Sequence, residues 1–185
     1  SPVVQLSIDN AYAAFPPGLK LEPVAVAYAD LPIVHMDFLK ITPSLLSLLS
    51  GQKQFAFNGA MGPGTLKGTA EMTTTERPQT KFNLNLNGVP IDLLEFLQKW
   101  PNYKISGDMN AYLDYDSRKG TGGTTNINLD IAPAKITFSN SLLGIEQFEF
   151  SQIQTEMTLT PRMLQIKRCD ASGAQLDGKI TGSIV

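Results

Sequence analysis

Apolar and polar side chains alternate along most of this chain, in runs of five to ten residues. In residues 81–87, for example, Phe82, Leu84 and Leu86 alternate with three asparagines. Successive side chains of a β-strand point to opposite faces, so such runs predict strands with one apolar and one polar face. The same pattern predicts strands over 19–28, 33–40, 54–58, 65–73, 104–115, 125–131, 135–139, 147–154, 156–160, 163–171 and 175–185.

A glycine-spaced version of this pattern recurs at residues 64–72, 105–113 and 173–184. Two longer stretches, 42–72 and 91–115, also share an order of short helix, turn, alternating strand and glycine-spaced strand. Recurrence of one unit predicts an extended sheet built by adding similar pieces. It does not suggest the closed pocket of an enzyme.

Two short segments follow a helical pattern instead. For the first, over 44–50, Thr42 is the expected N-cap, Pro43 the first helical residue and Gly51 the stop signal. Its apolar face is expected to consist of Leu45, Leu48 and Leu49.

The second helix is expected over 92–99, because Asp92 and Glu95 have the spacing of a capping box and Pro101 ends the pattern. A helix this short is marginal alone and must dock on an apolar surface. We expect it to plug one end of the sheet by docking on the row of Phe82, Leu84 and Leu86. The docking side chains would be Leu93, Phe96, Leu97 and Trp100.

Together these elements predict a mainly β fold in a single domain over residues 1–185. Clean alternation and short connections favour antiparallel pairing. We therefore expect a curved, twisted, mostly antiparallel sheet, an open groove or half-barrel, carrying two short amphipathic helices.

Composition and charge exclude some classes of partner and of covalent cross-link. The formal net charge is −2 and 17% of residues are charged, which argues against nucleic acid as a partner because no basic surface is clustered enough. Cys169 is the only cysteine, so no disulfide forms within the chain. The chain begins at Ser1, not at Met, and we expect a fragment whose membrane anchor lies upstream.

Few residues of this sequence have the side chains and spacing that catalysis needs. His35 is the only histidine; on a strand it shares a face with Asp37, but no serine lies in a Gly-x-Ser-x-Gly elbow. Cys169 has no histidine partner in the pattern. We therefore expect a protein that is not an enzyme, in which His35, Asp37 and Cys169 are dispensable.

Metal and phosphate sites are not expected either. The oxygen-bearing row from Asp108 to Asp116 resembles a calcium loop, but its sixth and twelfth places hold Leu113 and Lys119. The glycine-rich segment 120–124 lacks the Lys-Ser/Thr ending of a phosphate loop, so residues 117–124 are predicted to be a hairpin tip. No cofactor is predicted.

The apolar rows allow two interpretations: an ordinary filled core, or a curved face left partly open as a groove for a lipid or a partner. Only two short helices are available to cover a large sheet, so the groove interpretation stands beside that of a filled core. The candidate groove or partner surface comprises Phe55, Phe57, Leu66, Phe82, Leu84, Leu86, Phe96, Trp100, Met109 and Leu113.

Segments 12–22, 45–51, 64–72 and 173–182 resemble protein N of the bacterial type II secretion system (GspN). The resemblance implies a periplasmic β-domain anchored to the inner membrane, accessory to the secretion machine and without catalytic residues. GspN in turn resembles AsmA-type periplasmic proteins, whose curved sheets form lipid-accommodating grooves.

Two functions therefore stand as expectations. The first is a non-enzymatic structural role in the secretion system, through contacts with its other proteins. The second is a module that binds or transfers lipid or another apolar ligand in a hydrophobic groove.

Overall fold

The computed structural model describes residues 4–29, 31–73, 78–99, 102–120, 122–142 and 144–185. The chain is mainly β, with 76% of it in strands, as the alternation predicts. The first seven strands are β1 Val4–Ala14, β2 Gly18–Tyr28, β3 Leu31–Met36, β4 Phe38–Pro43, β5 Gln52–Met61, β6 Gly64–Thr73 and β7 Thr80–Pro90. The remaining six are β8 Tyr103–Asp116, β9 Thr124–Leu142, β10 Ile145–Phe150, β11 Gln152–Thr160, β12 Met163–Ser172 and β13 Gly178–Ile184.

All thirteen strands form one open sheet, and every pairing is antiparallel. The main path runs β1-β2-β4-β5-β6-β7-β8-β9-β11-β12-β13. Two long strands each pair with two shorter strands at successive positions along their length. β2 pairs in this way with β3 and β4, and β9 pairs with β10 and β11. The expected antiparallel sheet is thus confirmed.

Helix is limited, in the described residues, to α1 Leu45–Leu48, α2 Glu95–Gln98 and one turn of 3₁₀ helix over Ile91–Leu93. α1 lies in the β4–β5 connection. The 3₁₀ turn and α2 lie in the β7–β8 connection at the opposite end of the sheet. We refer to these ends as the α1 end and the α2 end.

The position of α2 shows that the sheet is strongly curved. This helix contacts both β3 and β8. In a flat sheet those strands would lie about 19 Å apart, at ~4.8 Å per strand. A four-residue helix is only about 6 Å long. A flat sheet would place both strands at the limit of reach of so short a helix, so these contacts indicate a sheet that bends toward it.

The core lies on the inner, concave face of this bend, mainly toward the α2 end. Val24, Val89, Ile91 and Met61 are at most 2% exposed. They belong to a single cluster that is completed by Leu21, Met36, Leu66, Met109, Ala111, Ile131, Ala134 and Phe150. Residues from β2 through β10 thus share one core.

Two glycines of the recurring pattern have a steric role in the bend. A Cβ on Gly68 would lie 2.4 Å from the Asn83 carbonyl oxygen of the neighbouring strand. Gly107, at φ +142°, would place a Cβ 2.2 Å from the Pro133 carbonyl oxygen. By contrast, a Cβ on Gly178 or Gly182 would meet no other atom within 4 Å. The three copies of the pattern are therefore not equivalent.

Both predicted helix starts were wrong. Thr42 and Pro43 belong to β4, and Ser44 precedes α1 without a side-chain cap. Asp92 lies in the 3₁₀ turn, and α2 starts at Glu95 with no side-chain cap, so no capping box forms. The segment 91–98 breaks at Leu94, whose ψ of 85° is not helical.

Some strand boundaries also differ from the prediction. β1 was not predicted. The run 33–40 is divided at Asp37, and 147–154 is divided at Ser151. The two strands expected at 125–131 and 135–139 are one strand, β9, whose pairing with β8 shifts between Ile131 and Ala134. The order of the repeat also differs, since β8 follows α2 directly with no other strand between them.

Candidate apolar groove

Cross-strand register places apolar side chains in continuous rows on the inner face. Leu66 lies opposite Leu86, Leu86 opposite Ala111, and Ala111 opposite Leu129. A second row, one pleat closer to the α1 end, runs through Phe57, Gly68, Leu84, Leu113, Ile127 and Met157. The groove is therefore made by the sheet itself.

The register brings together most of the predicted groove residues. Eight of them occupy inner-face positions on β5 to β8, namely Phe55, Phe57, Leu66, Phe82, Leu84, Leu86, Met109 and Leu113. Phe57 and Phe82 form an edge-to-face pair with ring centroids 6.1 Å apart. Trp100 lies outside the described residues, and the side chain of Phe96 is not described either.

The prediction missed inner-face residues on other strands. They carry the same period-two signal, as in Leu39-Lys40-Ile41 and Ile127-Asn128-Leu129. What single strands could not indicate is that these runs share the face of β5 to β8, because register depends on pairing. The residues concerned are Leu21, Leu39, Ile41, Ile127, Leu129 and Ile131.

α2 closes one end of the groove. Leu93 and Leu97 pack against the core cluster, and the Gln98 side-chain amide donates to the Ile105 carbonyl oxygen at 3.1 Å. The helix lies over one end of the sheet, and its main contacts are with β3 and β8 rather than with the expected row of Phe82, Leu84 and Leu86 on β7.

Burial decreases away from this plug. Phe57, Leu84 and Leu113 on the second row are only half-buried. Toward the β13 edge the inner-face side chains are open to solvent, with Leu159 at 44%, Ile180 at 59% and Ile184 at 65% exposure. The inner face is therefore covered at the α2 end and open at the α1 end and along the β13 side.

Total surface area agrees with an open shape. The chain exposes 11,644 Å². A compact globular monomer of 20.1 kDa exposes about 8,700 Å² by the usual scaling with mass. The excess of about a third means that much of this sheet lacks a covering layer.

The opposite, outer face is polar and linked across strands by side-chain hydrogen bonds. The Asn83 amide donates to the Thr69 hydroxyl at 2.7 Å, and the Gln152 amide donates to Asp130 at 2.8 Å. Asn110 accepts from the Gly88 backbone N–H at 2.9 Å. The residues from Asp108 to Asp114 therefore lie along strand β8, with their polar side chains on the outer face.

Asp116 is the one buried carboxylate among the described residues, and it is paired. Arg118 donates to it from Nε at 2.9 Å and from Nη2 at 2.8 Å, and its backbone N–H adds a third bond. These hydrogen bonds hold the pKa of Asp116 well below its ordinary value of 3.8. The pair anchors the first turn of the predicted hairpin tip after β8.

The chemistry-bearing residues do not assemble. The Asp37 carboxylate accepts from the Gly62 backbone N–H at 2.8 Å, at the β5–β6 turn, while His35 is exposed on β3. The Thr155 hydroxyl donates to Cys169 Sγ at 3.4 Å. Within the described ranges no group of three or more acidic, histidine or cysteine side chains is placed to hold a metal ion. No helix in that part of the chain is long and apolar enough to cross a membrane.

A separate cavity of about 600 Å³ lies where β9 passes from β11 to β10. Phe150, Pro133 and Ala134 form its apolar wall, and Lys135 and Glu149 also line it. Ala174 of the β12–β13 connection borders the cavity as well. The cavity therefore lies where β10 and β11 meet along β9, apart from the two apolar rows of the inner face.

Comparisons with family models, with curated proteins and with solved structures find no match to this chain.

Proposed function

We propose that the inner face binds an extended apolar ligand, such as the acyl chains of a lipid. The observation that carries this proposal is the continuous apolar row that is only half-buried and lies open at one end. A contiguous apolar surface that is open to water marks a binding site in many soluble proteins. An apolar ligand would remove that surface from water.

The dimensions suit such a ligand. From Met109 to Tyr115 the inner face of β8 extends over six residue steps, about 20 Å at ~3.4 Å per residue. One leaflet of bilayer hydrocarbon is about 15 Å thick, half of the ~30 Å core. An acyl chain can therefore lie along the strands between the α2 plug and the open end.

Neighbouring residues of β8 provide a matched test. Leu113 points to the inner face, and Tyr112 points to the outer face. We expect Leu113→Lys to abolish recovery of lipid, measured by native mass spectrometry of gently purified protein. Tyr112→Lys should retain it, because the outer face does not contact the ligand.

Folding is the control for that test. Both variants should retain the far-ultraviolet circular dichroism of a β-protein. If Leu113→Lys does not fold, Leu159→Lys introduces the same charge nearer the β13 edge, where the side chain is 44% exposed. Recovery of no lipid from the parent protein, or equal recovery from inner-face and outer-face variants, would contradict the proposal.

A second function is favoured by the open edges of the sheet. β1 and β13 end the strand order and each pairs on one side only. Unpaired edge strands accept further strands from a partner. Together with the resemblance to GspN, this supports an accessory role among the periplasmic proteins of a type II secretion system, at the inner membrane.

A complementation assay distinguishes the two roles. In a secreting strain that lacks this gene, the edge variant Ser183→Lys, on the outer face of β13, should reduce secretion if strand addition to β13 matters, and Leu113→Lys should reduce it if ligand binding matters. Secretion at the parental level with both variants, each present at normal abundance, would contradict the accessory role.

A further inference from the structure

Large apolar side chains are exposed to solvent at the α1 end of the sheet. Phe15 in the β1–β2 connection is 91% exposed, and Leu46 and Leu49 at α1 are 85% and 91% exposed. The β1–β2 connection is held against β4, the strand that leads into α1, since Lys40 Nζ donates to the Phe15 carbonyl oxygen at 2.8 Å. We call these three residues the apolar tip.

The outward orientation of α1 is fixed by a buried serine. Ser47 is 7% exposed, its hydroxyl donates to the Ser44 carbonyl oxygen at 2.7 Å, and it accepts from the Gln54 backbone N–H at 3.0 Å. Two leucines of the expected apolar face, Leu45 and Leu49, are therefore exposed, and the serine docks on β5. Packing within the chain does not explain why the three side chains of the apolar tip are large and apolar.

Charge is divided between the two ends of the sheet. Among the described residues, the α1-end connections carry Arg118, Lys119 and Arg162 and no carboxylate, although Asp116 at the end of β8 pairs with Arg118. The connections at the α2 end carry one lysine, Lys99, and four carboxylates, Asp37, Asp92, Glu95 and Asp177. The exposed apolar tip thus lies at the basic end.

We propose that the α1 end docks on an anionic lipid surface. Phe15, Leu46 and Leu49 enter the boundary between headgroups and acyl chains, and the basic connections face the headgroups. A membrane is favoured over a protein partner because the apolar residues are protruding tips, not a flat patch, and because the charge is complementary. The docking does not depend on the groove holding lipid, although it would place the open end of the groove at the membrane.

Vesicle sedimentation tests the tip directly. The parent chain should bind vesicles of equal parts phosphatidylcholine and phosphatidylglycerol, and bind vesicles of phosphatidylcholine alone more weakly. The double variant Leu46→Ser/Leu49→Ser should lower the partition coefficient by about tenfold or more, from the transfer of two leucines. The matched control is Leu31→Ser/Ile145→Ser at the α2 end, where these side chains are 49% and 38% exposed and where binding should stay at the parental level.

The charge is tested separately. Lys119→Glu/Arg162→Glu should weaken binding to the mixed vesicles and leave binding to phosphatidylcholine unchanged.

Phe15→Ser tests the apolar tip independently if the α1 variant does not fold. Failure of the parent to bind mixed vesicles, or unchanged binding of folded tip variants, would overturn the proposal. It would also be overturned if the parent self-associates without lipid and the tip variants do not, because the tip would then be a contact between copies. Lipid recovery from the groove is a different readout, so the two proposals fail independently.

Discussion

At the scale of single residues, glycine determines how closely the strands approach one another. Gly68 faces the Asn83 carbonyl oxygen at a distance that excludes a Cβ, whereas Gly178 faces open space. Both belong to the recurring glycine-spaced pattern, which therefore cannot distinguish a packing glycine from a neutral one. The difference depends on the neighbouring strand.

Replacing Gly68 with Ala should destabilise the protein, because the neighbouring backbone has to move. Overpacking of this kind costs about 1–3 kcal/mol. The matched change, Gly178→Ala, should alter the free energy of unfolding by less than about 0.5 kcal/mol. Urea unfolding midpoints with equal slopes provide the comparison, and equal costs for the two variants would show that the close approach is not rigid.

The Asp116–Arg118 pair predicts a dependence of stability on pH. Hydrogen bonds from Arg118 lower the pKa of Asp116 in the folded state below 3.8, so the stabilisation is present above that pH and is lost as the pH falls toward the folded-state pKa. Arg118→Met should reduce stability at neutral pH and weaken its decline below pH 3.8. Denaturant titrations of both proteins across this range would test it. Parallel curves would mean that Asp116 does not contribute.

At the scale of elements, the two four-residue helices have opposite environments. α2 packs Leu97 against the core between β3 and β8, whereas Leu45 and Leu46 of α1 are exposed to solvent. α1 has the more apolar sequence of the two, so composition alone would predict that α1 is the better buried helix. Tertiary contacts decide between them, because neither helix is stable alone.

Matched leucine substitutions measure that difference. Leu97→Ala on α2 should cost about 2 kcal/mol, the lower part of the range for buried leucines, since this side chain is half-buried. Leu46→Ala on α1 should cost less than about 0.5 kcal/mol, because the side chain is already exposed. Unfolding midpoints again give the values. A cost below about 0.5 kcal/mol for Leu97→Ala would show that α2 is not a plug.

Strands were predictable from this sequence and helix boundaries were not. Alternation is a local property, and it located twelve of the thirteen strands at least in part. β1 carries the same signal at Val4, Leu6 and Ile8, and the prediction omitted it. The helix starts failed because Thr42 and Pro43 continue the pairing of β4 with β5, and these ladder bonds replaced the expected cap.

At the scale of the whole molecule, one sheet provides both the core and the groove. Its curvature brings β2 and β3 near β8 through α2, which buries the inner face at one end and leaves half-buried apolar rows toward the other. Single strands indicated which residues were apolar, but they could not indicate that the thirteen strands form one surface. That property follows from register and curvature, which are non-local.

The central claim is that these inner-face rows hold an apolar ligand, and site-specific photolabelling tests it most directly. A fatty acid with a diazirine in its chain is irradiated with the protein, and labelled residues are mapped by peptide mass spectrometry, with unlabelled fatty acid as competitor. The account predicts competed labelling at inner-face residues such as Phe57, Leu84 and Leu113, and none at the neighbouring outer-face Tyr112. Equal labelling of both faces, or labelling confined to the apolar tip, would contradict it.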